Sequence, residues 1–95
     1  MNILIYAKPD LVEHKMARNI RYKGTVCYWT TKKQPVRRNI EKVQFSDGAR
    51  IYAEGTYIDI GDSPDPRIAG IWFHPLRQVN KKQPKKPPTR GWCYA

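Results

Sequence analysis

The sequence predicts a mainly β protein, a small barrel of five to six short strands with one short N-terminal α-helix. Three observations lead there. Short β-branched and aromatic runs recur at close spacing, Ser46-Asp47-Gly48 marks a hairpin between two of them, and one stretch alone has helical periodicity. Ninety-five residues, 40% of them hydrophobic, make a single domain over 1–95 with a modest core. Six Tyr, three Trp and two Phe supply enough apolar bulk to fold without a metal or a disulfide framework. Closing the sheet hides edges that so small a protein would otherwise expose.

Asn2 to Ala7 is short, apolar and β-branched, which suits a buried strand. Pro9-Asp10 then reads as a stop and a helix start, with Asp10 as cap and Glu13 completing a capping-box-like pattern. Val12, Met16 and Ile20 recur every four residues, so the helix is expected from Leu11 to about Ile20, with His14, Lys15 and Arg18 on its other face. After Lys23-Gly24, the run TVCYWTT is a strand that alternates Val26, Tyr28 and Thr30 against Cys27 and Trp29. Lys32 to Asn39 is a basic loop.

EKVQF and ARIYAEG flank the hairpin turn, where Gly48 supplies a positive φ. Gly55 interrupts a strand expected from Arg50 to Ile60, which predicts a bulge or sharp bend there. Asp62 to Arg67 is an acidic, proline-rich loop, and Ile68 to Leu76 is a further strand ended by Pro75. Val79 to Arg90 is too polar and proline-rich for a core element and is expected as an extended, polyproline-like surface path. GWCYA closes the chain as a last strand.

Charge narrows function most. Eighteen Lys and Arg stand against eight Asp and Glu, a net charge of +10. Val43 to Pro66 holds five acids and one base, a local charge of −4, and the rest of the chain carries 17 bases against three acids, or +14. A surface polarised in this way attracts polyanions, because each neutralised phosphate releases condensed counterions. The bland reading, charge kept for solubility, requires less than +10.

Other classes recede. No run approaches the roughly 18 apolar residues of a membrane span, and MNILIYA is too short and lacks a basic leader for a signal peptide, so the expectation is a cytoplasmic protein without membrane contact. Cys27 and Cys93 fit that compartment as reduced core thiols, though a disulfide between them stays open if their strands pair. The two Cys and two His are scattered singly, so no metal site and no cofactor are expected. There is no nucleophile with a paired base and no phosphate-cradling glycine loop. Glu54 and Asp59 are five apart and fall on opposite faces unless a bulge at Gly55 resets the parity. No catalytic residue is assigned.

The strings SDGARIYAEGTYIDI, IWFHPL and PKKPPTRGWCYA, in that order, resemble the PUA-like superfamily of small barrels, which includes ASCH and EVE-type domains. The likeness spans roughly residues 25–95. It implies a PUA-like pseudo-barrel and RNA as ligand class, with recognition of a modified base in some members. ASCH-type enzymes carry a G-x-K-x-x-x-x-R-like string with a catalytic Lys and Thr. The nearest approach here, Lys23-Gly24-Thr25, has the wrong order and spacing.

Three constellations remain as candidate binding sites. Tyr28 and Trp29 lead into Lys32, Lys33, Arg37 and Arg38, the pairing of stacking faces and backbone-following cations that holds single-stranded nucleic acid. Trp29 has an equal claim as a core residue. Lys81, Lys82, Lys85, Lys86 and Arg90 form a proline-stiffened basic track, which is otherwise a solvated segment. Trp72 and His74 share a face by alternation and would line a base pocket beside Tyr57 or Asp59, against a structural role for His74 at a strand end.

The leading expectation is a module that binds RNA or single-stranded DNA. A second is a phage or mobile-element accessory protein that inhibits a nucleic-acid-bearing defence complex, in the manner of an anti-CRISPR, or sequesters a nucleotide signal. An ASCH-like nucleoside amidohydrolase is the weakest.

Overall fold

The computed structural model describes residues 1–13, 27–31, 39–62, 69–74, 76–87 and 92–95, with only the backbone of 27–31, 60–62 and 69. Among the described residues there are seven strands: β1 (Ile3–Tyr6), β2 (Cys27–Thr31), β3 (Lys42–Ser46), β4 (Arg50–Asp62), β5 (Ala69–Phe73), β6 (Arg77–Lys82) and β7 (Trp92–Tyr94). They build one curled, half-barrel sheet in the order β2-β5-β4-β3-β1-β7, with β6 also paired to β4. The expected class, a small mainly β barrel-like fold with a short helix, is what forms.

β1 runs parallel to β3 and antiparallel to β7. A parallel pair cannot be joined by a tight turn. The chain therefore leaves β1 through a helical turn at residues 9–13 and passes through β2 before it returns as β3. The helix begins at Pro9, ahead of the start at Leu11 that Asp10 as cap would require. Proline's fixed φ and missing N–H suit a first helical position, and Leu11 N–H closes the turn on Lys8 O at 3.0 Å. Val12 is buried as the periodicity predicts. Met16, Ile20, His14, Lys15 and Arg18 lie outside the described residues.

β4 organises the sheet. Its first half pairs with β3 on one side and β6 on the other, and its second half pairs with β5. β5 and β6 both pair along β4, and between them His74 N–H bonds to Thr56 O at 3.0 Å. The expected bulge at Gly55 is absent. Gly55 pairs in register with Val43, and the register shifts fall between Ile51 and Ala53 and between Tyr57 and Asp59.

The segment from Val79 corrects the extended-path expectation, because residues 77–82 are strand β6. Apart from Val79 its side chains are polar, and most are exposed, so periodicity carries no signal. Backbone pairing to β4 and side-chain bonds hold it instead, among them Arg50 Nε to Asn80 Oδ1 at 2.5 Å.

One sheet face makes the core: Ile3, Ile5, Val43, Phe45, Ala53, Ile71, Phe73 and Trp92. Phe45 and Phe73 meet edge-on with ring centroids 5.5 Å apart. Alternation sends Asn2, Leu4, Lys42, Gln44, Ser46 and Glu54 to the opposite face. That face holds the polar network.

Candidate functional site

Glu54 is the centre of this second face. β3 places Gln44 opposite it and β6 places Arg77 opposite it from the other side. Three cations converge on its carboxylate. Lys42 Nζ lies 3.1 Å and Arg77 Nη2 3.0 Å from Oε2, and Lys81 Nζ lies 2.6 Å from Oε1. Gln44 Nε2 donates to Glu54 Oε1 at 3.5 Å, Gln44 Oε1 accepts from Asn2 Nδ2, and Asn2 Oδ1 accepts from Lys42 N–H.

The carboxylate is buried at 1% exposure, while the side chains of Lys42, Arg77 and Lys81 keep 35%, 61% and 44%. Burial alone would push the Glu54 carboxyl up. Hydrogen bonds from Lys81, Arg77, Lys42 and Gln44 outweigh that and hold it down at about 2. The group is therefore an anion at neutral pH. One negative charge under three positive ones leaves +2 at a single point, with the cations outermost.

The hairpin beside this cluster fixes where the basic segment goes. Asp47 Oδ1 accepts Ala49 N–H and Arg50 N–H, each at 2.9 Å, and these bonds lower the carboxyl of Asp47. Gly48 has φ +102° and a Cβ there would meet the Tyr6 ring at 3.3 Å, so the expected glycine role is met. Gln83 then ties the chain beyond β6 to the turn, accepting from Ser46 Oγ at 2.5 Å and donating to Gly48 O at 3.0 Å. Pro87 is buried, whereas Lys85 and Lys86 between these two anchors are exposed.

The basic track thus divides in two. Lys81 is not a free surface charge but a partner of Glu54. Lys82, Lys85 and Lys86 are exposed and have no carboxylate partner among the described residues. Lys42 and Arg77, which complete the Glu54 cluster, do not stand out in the sequence. The signal that could find them is Glu54 itself, an acid in the middle of a long expected strand, where burial obliges it to find cations. Lys32, Lys33, Arg37, Arg38 and Arg90 lie outside the described residues.

For the aromatic candidates, register sets Tyr28 opposite Trp72 and Trp29 opposite Ile71. The side chains of Tyr28 and Trp29 lie outside the described ones. Trp72 is half-buried and pairs across to Asp59, while Phe73 beside it enters the core. The irregularity between Tyr57 and Asp59 resets the alternation, so Asp59 joins the face of Glu54. Even so, five residues at about 3.3 Å each keep the two carboxylates too far apart to act as a pair. His74 Nδ1 is buried without a hydrogen-bond partner among the described residues.

β2 and β7 occupy opposite ends of the strand order and do not pair, so the condition for a Cys27–Cys93 disulfide is not met; Cys93 is a free thiol. Among the described residues no group of three His, Cys, Asp or Glu side chains is placed to hold a metal ion. No described helix is long and apolar enough to cross a membrane.

No family model, curated protein or solved structure matches the chain.

Proposed function

We propose that this chain is a nucleic-acid-binding module that grips RNA or single-stranded DNA through the β6 face and the segment that follows it. The observation that carries this reading is the arrangement around Glu54. A buried carboxylate holds Lys42, Arg77 and Lys81 together and leaves them with an excess of +2. Lys82, Lys85 and Lys86 continue the positive surface without carboxylate partners among the described residues, on a segment anchored by Gln83 and Pro87.

Anchoring favours binding. Cations already fixed in place lose less conformational freedom when phosphates dock on them. Contacts of this kind follow the backbone and carry no sequence information, so base preference falls to stacking groups, for which Trp72 is the described candidate. The PUA-like resemblance agrees with RNA as the ligand.

A tryptophan-fluorescence titration with single- and double-stranded RNA and DNA tests the reading. Single strands should bind at low salt and be released by about 0.5 M salt. Absence of binding to every free nucleic acid, with capture of a ribonucleoprotein instead, would favour the accessory-inhibitor reading.

A further inference from the structure

We infer that the Glu54 cluster receives a terminal phosphomonoester, the phosphorylated end of a strand, while Lys82, Lys85 and Lys86 follow the phosphodiester backbone leading away from it. The inference rests on the nucleic-acid reading and assigns its two groups of cations to different parts of the ligand.

The distinction comes from geometry. Lys82, Lys85 and Lys86 are distributed along a chain, as a backbone-tracking row must be. The charged ends of Lys42, Arg77 and Lys81 all lie within 3.1 Å of one carboxylate and so face one small volume. A phosphodiester brings one negative charge and two free oxygens to such a point. A phosphomonoester brings up to two charges and three acceptor oxygens, which matches the +2 excess. Each ammonium has three donors and the guanidinium five, so one contact to Glu54 leaves donors for a ligand. Glu54 at 1% exposure offers almost no oxygen to repel the incoming anion.

The same chemistry is offered by the end of a nucleic acid and by a free mononucleotide, and calorimetry separates the two. The full chain is titrated with a short single-stranded RNA bearing hydroxyl ends, the same RNA with a 5′-phosphate, the same with a 3′-phosphate, and a nucleoside monophosphate. At least one phosphorylated RNA should bind about tenfold tighter than the hydroxyl form. Arg77→Gln should abolish that preference, and Lys42→Gln serves the same purpose where the first variant fails to fold. Lys85→Ala with Lys86→Ala should weaken all three RNAs equally.

Equal binding of all three RNAs overturns the end-recognition inference and leaves the nucleic-acid reading standing. A preference that survives both cluster variants overturns its assignment to Glu54. A nucleoside monophosphate that binds as tightly as the phosphorylated RNA makes a small nucleotide the ligand and overturns both readings, as does a failure of every RNA to bind.

Discussion

Lys81 Nζ stands 2.6 Å from Glu54 Oε1 across the β6–β4 pair. It is shorter than the Lys42 and Arg77 pairs on the same carboxylate, and it joins the basic C-terminal segment to the acidic middle of the chain. The polarity visible along the sequence is therefore not simply two separate surfaces. At Glu54 the acid lies beneath the bases and organises them.

Replacing Glu54 by Gln should destabilise the fold by about 2–3 kcal/mol. Removing one member of a buried pair leaves like charges gathered without their counterion. The effect falls below the usual range of about 3–5 kcal/mol because the three cations are partly exposed and can turn to water. Urea denaturation measures it, and an unchanged midpoint would show that Glu54 is dispensable to the sheet.

Acid should unfold the protein through the same group. The Glu54 carboxyl sits at about 2 in the fold against an ordinary 4.5, so its contribution is present above about pH 4.5 and is lost as pH falls towards 2. The shift corresponds to about 3 kcal/mol at most. Stability measured between pH 6 and pH 2.5 should fall steeply in the native chain and less in Glu54→Gln. Parallel curves for the two proteins would contradict the low value.

Gly48→Ala should cost about 1–2 kcal/mol. An L-residue is strained at φ +102°, and the added carbon presses on Tyr6 at 3.3 Å. Thermal unfolding reads the effect, which should be smaller for Gly48→Asn than for Gly48→Val.

Tyr52→Phe should remove about 1 kcal/mol. Its hydroxyl donates to Ala7 O at 2.6 Å and joins β4 to the end of β1. Burial, together with the charges of Asp47 and Asp10, raises its phenol well above the ordinary range, so the hydroxyl should not ionise in mildly alkaline solution. Ultraviolet titration of phenolate formation checks this directly.

Much of the fold was legible because burial writes itself into alternation. β1, β2, β5, β7 and the hairpin at Gly48 were each marked by apolar runs or by a turn residue with a single steric reason. β6 was not, since an exposed strand with only Val79 apolar has no hydrophobic period to read. The irregularity near Ile58 was hidden as well, because pairing with β5 decides where β4 shifts and Gly55 lies safely in register. For the site, the lysines of the basic track were visible as charge, but their division was not. Only the fold brings Lys42 and Arg77, distant in the chain, onto the carboxylate that Lys81 also meets.

The central claim is that these cations neutralise phosphates, and the salt dependence of affinity counts how many. Single-stranded RNA is titrated into the native chain and into a Lys82→Ala, Lys85→Ala, Lys86→Ala triple variant across a salt series. The variant's log–log slope should be shallower by about 0.7 for each phosphate that it no longer neutralises. Identical slopes for the two proteins, with folding intact in both, would contradict the account.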